Sequence, residues 1–391
     1  MNRRHFLQRS LASAALGLAN LRAPGAALGA APPVTPYRNL LVLIELKGGN
    51  DGLNTLVPFE DPTYYALRPK IAITRDSVVQ LSAHAGLHPA LAPLMPLWES
   101  RELAILQGVG YPEPNLSHFR SIEIWDTASA SETYLQDGWL TRTFAATAPP
   151  SSFAADGVIV GSNDLGPLAG SGTRAVALAN TEQFLRRARL AAPEGTSPNK
   201  ALEHILKVEA DIVQAASHLD ARREFKTDFP ADAFGNAIHT ACQVLANPSG
   251  VAVVRVTLAG FDTHGGQAPA QARLLGSLAG GIVALRSALV EIGRWDSTLV
   301  LTYAEFGRRP RENLSNGTDH GTASVHFALG GRVAGGLYGE QPPLDRLGGD
   351  GNMGYALDFR SVYATVLERW WGVPSAPIVG GRFTPVAFIK A

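Results

Sequence analysis

An α/β fold built on a largely parallel sheet is predicted from three observations on this chain. Apolar runs of strand length recur along it and end in glycine-rich or polar turns. Helical periodicities lie between them, and 391 residues at 46% hydrophobic and 17% charged composition can bury a large core. The strand runs are Leu40 to Leu46 before Gly48 and Gly49, Leu103 to Val109 before Gly110, Gly157 to Val160, Ala175 to Ala179, Val251 to Ala259 before Gly260, and Thr298 to Tyr303. Their continuous apolarity fits strands covered on both faces. Leu202, Ile205, Leu206, Ile212, Val213, Ala216 and Leu219 recur at helical spacing, as do Leu274, Leu278, Ile282, Leu285 and Leu289. No internal repeat or long low-complexity linker divides these elements, so a single domain over residues 38–391 is expected.

Ahead of it, Met1 to Ala30 carries Arg3, Arg4, Arg9 and Arg22 and no acidic residue, then a short apolar stretch from Leu11 to Leu21. This pattern reads as an export signal, followed by a linker over 31–37. Asn2-Arg3-Arg4-His5-Phe6-Leu7 resembles the twin-arginine motif, which implies the twin-arginine export machinery as a partner and a periplasmic or otherwise exported location. The apolar stretch is shorter than the roughly 20 residues a membrane span needs, and the later apolar runs are strand-length, so no stable membrane insertion is expected.

Charge excludes further classes. The full chain balances 34 Lys+Arg against 34 Asp+Glu, and removing the four arginines of the signal leaves 30 basic residues against 34 acidic. A mildly acidic mature protein is not a nucleic-acid binder by composition, and any anionic ligand has to be held by a local site. The single cysteine, Cys242, excludes an internal disulfide and thiolate metal sites, so a metal would rest on oxygen and nitrogen.

Polar groups at the carboxyl ends of strands are the place to look for chemistry in such a sheet. The first end gives Gly48-Gly49-Asn50-Asp51-Gly52, where Asp51 is either a ligand or the anchor of an ordinary turn. The second gives Gly260-Phe261-Asp262-Thr263-His264-Gly265. In extended backbone Asp262 and His264 share a face, with Cα atoms roughly 6–7 Å apart, or else they are a helix cap and a packed histidine. The third gives Glu305-Phe306-Gly307-Arg308 and continues to Gly317-Thr318-Asp319-His320-Gly321, where Asp319 and His320 converge only if the flanking glycines bend the chain. Ser117, before His118, falls at a helix start, as a plain N-cap or as a nucleophile beside free N–H groups. This donor mixture suits zinc, manganese or magnesium better than calcium. His84 and His88 read as loop and helix-entry residues, and His204, His218 and His239 as packed or solvated helix residues. Gly-x-Ser-x-Gly, His-Glu-x-x-His and Walker strings do not occur. The string Gly349-Asp350-Gly351-Asn352-Met353-Gly354 follows no strand and reads as a loop.

Taken together, the segments Leu46 to Asn54 with Pro58, Gly260 to Gln267, and Glu305 to Arg308 with Gly317 to Gly321 resemble the bacterial family known as domain of unknown function 1501. Ser117-His118-Phe119, Gly138-Trp139-Leu140 and the pairs Gly330-Gly331 and Gly335-Gly336 fit it too. The resemblance spans residues 38–385 and departs at Ala304, where Ser is expected. That family is similar to the alkaline phosphatase and sulfatase superfamily. The likeness implies a three-layer sandwich, with helices on both faces of a mostly parallel sheet and a metal site at the strand ends. It further implies Asp51, Asp262, His264, Glu305, Asp319 and His320 as metal ligands, Ser117 as nucleophile, and His118 and Arg308 as stabilisers of charge. The spacing departs from the superfamily pattern, in which the Asp and His of the pair are four apart and not two. The function so implied is an exported metal-dependent hydrolase of phosphate or sulfate esters, acting on a small anionic ester. The alternative is a catalytically silent exported binding or assembly protein that keeps the fold.

Overall fold

The structure, a computed structural model, describes residues 36–178, 223–247 and 250–390. The signal over 1–30, the helical pattern from Leu202 to Leu219, His204 and His218 therefore lie outside the described residues. Each apolar run that the sequence marks becomes a strand: β1 (Leu40–Lys47), β2 (Leu103–Gly110), β3 (Ala155–Val160), β4 (Ala175–Leu178), β5 (Val251–Ala259) and β6 (Thr298–Tyr303). After β6 the chain makes a separate small pair, β7 (Gly307–Arg308) with β8 (His320–Gly321), and returns to the main sheet as β9 (Ser324–Leu329), β10 (Gly336–Gly339) and β11 (Leu357–Asp358). The sheet order is β10-β2-β9-β6-β1-β5-β3-β4, with β11 on β2. Every pairing in it is parallel except the two made by β9.

That one reversed strand was not foreseen. Ser-Val-His-Phe-Ala-Leu breaks its apolar run with a serine and a histidine, yet both of its faces are buried. Its reversal matters for the site, because β9 begins at the edge where β1, β2, β5 and β6 end. The chain must reach that edge just beforehand, and the residues that it carries there are Asp319 and His320.

Alternation along β1 divides the core. Leu40, Val42, Ile44 and Leu46 face one layer, with α3 (Ala233–Leu245) and α4 (Gln267–Glu291). Leu41 and Leu43 face the other, with α1 (His118–Thr127), α2 (Trp139–Ala146) and α5 (Phe359–Thr365). Helices on both faces of a largely parallel mixed sheet are the arrangement expected. Residues Val34–Ala391 form one compact unit. Tyr37, assigned to the linker by sequence, instead belongs to the core: it is 1% exposed and meets Phe144 and Trp371 edge-on. Helix α4 is long and apolar enough to cross a bilayer, but half of its most apolar window is buried within the protein, as in a core helix. On the α1 side β1 also buries Glu45, paired to Arg255 at 2.8 Å with neither side chain exposed. Burial pushes the Glu45 carboxyl up against the pull of Arg255.

Candidate metal centre at the strand ends

The loop after β1 touches the loop after β5 because Gly48 has no side chain. A Cβ there would fall on the backbone nitrogen of Asp262, and the residue holds φ +112°. The Gly48 N–H donates to Glu305 Oε1 at 2.8 Å, tying in the end of β6. Opposite, Gly317 lets the β7–β8 connection lie against His264, where a Cβ would strike the His264 carbonyl carbon. Helix α1 brings His118 as its first residue.

Three imidazoles meet on one carboxylate. His264 Nε2 lies 3.1 Å and His320 Nε2 3.2 Å from Asp262 Oδ1, His118 Nε2 lies 3.4 Å from Asp262 Oδ2, and the Nε2 atoms of His264 and His320 are 3.0 Å apart. The other nitrogen of each ring faces an oxygen. His118 Nδ1 is 3.0 Å from Glu305 Oε1, His264 Nδ1 is 3.4 Å from Asp319 Oδ1, and His320 Nδ1 is 2.8 Å from the Leu116 carbonyl. Such acceptors place the proton of a neutral ring on Nδ1 and leave the Nε2 lone pair free. His320 is also sandwiched, stacked on Phe306 and edge-on to His118.

The charges are arranged to keep the carboxylate ionised. Burial pushes the Asp262 carboxyl up, but the Arg308 guanidinium, aided by His320 and His264, outweighs it and holds the carboxyl below its usual range. Asp319 is held low chiefly by the Asn313 amide. Burial, with Arg308 nearby, lowers the pKa of His320 against the hydrogen bond to Leu116 and keeps the ring neutral.

Of the residues singled out in the sequence, Asp262, His264 and His320 come together as expected, and His118 joins them at the cluster and not as an outlying charge stabiliser. Glu305 and Asp319 back the rings of His118 and His264. Arg308 is not available to a ligand: its side chain is fully buried, donating to Asp262 Oδ1 at 2.6 Å and to the carbonyls of Gly48, Gly49, Phe261 and Thr318. Asp51 stands apart. It is buried in a pair with Arg68 at 2.6 Å, caps Leu53 N–H, and accepts from the Gln267 amide, so its oxygens are already engaged. A carboxylate taken out of water needs such a partner, and Arg68, in an unremarkable loop, gave no sequence signal. Ser117 occupies the N-cap of α1, but its side chain makes no capping bond and the residue is exposed. It sits between Leu116, whose carbonyl meets His320, and His118. His88 opens a short helix as expected, and His239 packs against Phe225 and Phe229. The residues missed, Asn313 and Arg68, act through hydrogen bonds that no short motif encodes.

A family model described as protein of unknown function, DUF1501, matches residues 80–378. The chain belongs to the DUF1501 family. The matched span contains Ser117, His118, Asp262, His264, Glu305, Arg308, Asp319 and His320 and begins after Asp51. No significant match is found for this DUF1501 protein among curated proteins. Among solved structures it is similar to the PsFucS1 sulfatase from Pseudoalteromonas sp., at 10% identity and TM-score 0.40, covering 89% of this chain and 70% of that one. It is also similar to a TAB5 alkaline phosphatase mutant with magnesium bound, at 12% identity and TM-score 0.37, covering 78% and 95%. A third is the phosphonate monoester hydrolase of Agrobacterium radiobacter, at 11% identity and TM-score 0.36, covering 88% and 78%.

The DUF1501 cluster fits a divalent metal ion on its own geometry. His118, Asp262 and His320 offer donor atoms that all lie within 4.8 Å of one another. Bonds of about 2.0–2.1 Å to a tetrahedral ion place neighbouring donors ~3.3–3.4 Å apart; in this triad His320 Nε2 and His118 Nε2 stand 3.2 and 3.4 Å from Asp262 oxygens, and His264 Nε2 lies beside the triad, 3.0 Å from His320 Nε2. Beside them Glu305 Oε2 is buried without a hydrogen-bond partner, an oxygen that a cation would satisfy. Imidazole nitrogens beside carboxylates are not the all-oxygen shell that calcium prefers.

Proposed function

We propose that this chain is an exported, metal-dependent hydrolase of phosphate or sulfate esters, with His118, Asp262, His264 and His320 as the metal-holding set. One observation carries the reading: three Nε2 atoms face the Asp262 carboxylate while each ring's Nδ1 is engaged by an oxygen. Ring nitrogens and carboxylate oxygens gathered at such distances, with Glu305 Oε2 buried beside them without a partner, support a cation held among them. A divalent ion bound there would polarise a phosphoryl or sulfuryl oxygen and lower the pKa of a nearby hydroxyl.

The chain's own groups do the rest. Glu305, Asp319 and the Leu116 carbonyl fix the tautomers and orient the rings. The first-turn N–H groups of α1, which have no partner within the helix, receive the anionic oxygens of the ester. Ser117, with its hydroxyl free of any cap and held between two residues of the cluster, is the nucleophile in this reading. It attacks phosphorus or sulfur, the alcohol departs, and water then clears the modified serine. Export follows from the arginine pair Arg3-Arg4, with the twin-arginine machinery as partner and the periplasm as destination; a lysine pair at these positions would strand the precursor in the cytoplasm.

The test is metal content and turnover of the purified mature protein. About one equivalent or more of zinc or manganese is expected, with hydrolysis of an aryl phosphate, phosphodiester or sulfate that stops on chelation and returns on adding metal. Less than about half an equivalent, with no stabilisation by metal, would sink the reading. A filled site with no turnover on any of the three substrates would favour the binding or assembly protein.

A further inference from the structure

Asp262 and His264 reach the cluster from the loop after β5, with Thr263 between them, and Asp319 and His320 reach it from the β7–β8 connection, directly after Thr318. One buried side chain bonds to both segments. Gln267 opens α4 and is wholly covered, as is Thr318, and Thr263 is nearly so. Gln267 Oε1 accepts from Thr263 Oγ1 at 3.1 Å and from Thr318 Oγ1 at 2.5 Å. Its Nε2 donates to Asp51 Oδ2 and, at 3.3 Å, to Gln271 Oε1. A carboxylate has no hydrogen to give, so Asp51 draws the amide nitrogen and leaves the carbonyl to the threonines. Both hydrogens and both lone pairs of the amide are then engaged, as a polar group held away from water requires. A hydroxyl can give or take a hydrogen, so an amide turned over would keep both threonine ties.

These ties decide which way the cluster residues face. Thr263 is buried, whereas the side chains of Asp262 and His264 on either side of it are 45% and 47% exposed. Thr318 is buried and the Asp319 side chain after it is 53% exposed. Drawing the two threonines inward therefore turns their neighbours out toward one another. Backbone bonds already lay the segments side by side: Thr318 N–H donates to the Thr263 carbonyl at 3.2 Å, and Gln267 N–H to the Asn316 carbonyl at 2.9 Å. The amide adds the finer setting, at a place where His320 Nε2 stands 3.2 Å from Asp262 Oδ1.

We infer that Gln267 is a positioning residue of the cluster: by holding the hydroxyls of Thr263 and Thr318 on one carbonyl it sets Asp262 and His264 against Asp319 and His320. On the reading of the cluster as a metal site, it thereby sets the affinity for the ion without touching it.

The test measures zinc affinity of the purified mature protein in Gln267→Met, in Thr263→Val with Thr318→Val, and in all three together. Gln267→Met keeps the length of the side chain and loses its polar end, and should lower affinity at least about tenfold. The threonine pair should lose as much, and the triple variant no more than either, because all three changes cut one connection. In the metal-free proteins the ring-nitrogen chemical shifts of His264 and His320 should move in each variant while those of His239 stay. Losses that add in the triple variant, or a threonine pair that binds zinc as the unaltered protein does, overturn the assignment. So does unchanged affinity in a folded Gln267→Met; should that variant fail to fold, the threonine pair decides in its place by affinity and ring shifts. If the unaltered protein takes up no zinc, the metal-site reading fails, and the ring shifts alone decide the role of Gln267.

Discussion

Arg308 reaches Asp262 from inside the protein: its wholly buried guanidinium lies 2.6 Å from Oδ1 of a carboxylate whose side chain is 45% exposed. The same guanidinium holds four carbonyls from the loops after β1 and β5 and from the β7–β8 connection. A planar fork makes all of these bonds at once, and an ammonium cannot. Arg308→Lys should therefore weaken zinc binding about 10–100-fold, as loss of a supporting contact typically does, and a zinc titration of the purified variant checks it. Unchanged affinity would show that Asp262 needs no such support.

Glu305 sets the tautomer of His118. Its Oε1 accepts from both Gly48 N–H and His118 Nδ1, so His118 carries its proton on Nδ1. Glu305→Gln can keep an oxygen between Gly48 N–H and His118 Nδ1, so the test is Glu305→Met, which removes the acceptor: nothing then holds the proton on Nδ1, and the Nε2–H form faces Asp262. Zinc affinity should fall at least about tenfold, and the ring-nitrogen chemical shifts of His118 in the metal-free protein should change tautomer. A variant that binds zinc as before, with the tautomer unaltered, would refute this role.

Asp51 separates a structural carboxylate from a metal ligand. Breaking its buried pair with Arg68 leaves an uncompensated guanidinium inside the protein, and Asp51→Asn should cost about 3–5 kcal/mol in denaturant unfolding. Zinc affinity of the folded variant should stay within about threefold. A large loss of affinity without loss of stability would return Asp51 to the ligand set that the family resemblance suggested.

How far the sequence was readable follows the range of the interactions. Six strands were legible because uninterrupted apolar runs leave few other choices, and the pairing of Asp262 with His264 because alternation in extended backbone is local. β9 escaped because Ser324 and His326 are polar residues that the fold buries anyway. Glu45, inside an apolar run, takes its meaning from Arg255, more than two hundred residues away. Arg308 was noticed for its charge and given the wrong task, since nothing in Glu-Phe-Gly-Arg tells whether a guanidinium faces solvent or three loops at once.

His326 makes stability depend on pH. It is 2% exposed, its Nδ1 has no partner, and burial lowers its pKa from 6.5 to about 3. Between these values the unfolded chain binds a proton that the folded chain refuses, so stability is full above about pH 6.5 and falls as pH drops toward 3. The slope is ~1.4 kcal/mol per pH unit where only the unfolded state is protonated. His326→Leu should flatten the dependence between pH 4 and 6 in denaturant midpoints. An equal slope in the variant would assign it to other groups.

Gly317 tests whether the cluster is set by the approach of two backbones. A Cβ at this position would collide with the His264 carbonyl carbon, a backbone atom that cannot rotate away. Gly317 N–H also donates to Asn313 Oδ1 at 3.1 Å, and the Asn313 amide in turn holds the His264 carbonyl and Asp319. Gly317→Ala should then push the β7–β8 connection off His264 and part its Nδ1 from Asp319. It should separate the Nε2 atoms of His264 and His320 as well, since His320 rides on the same connection. The hydrophobic core is untouched by this change, so the expected signature is a drop in zinc affinity of about tenfold or more with an unfolding midpoint nearly that of the parent. If affinity holds and only stability falls, His264 is positioned by its own loop and the glycine serves folding alone.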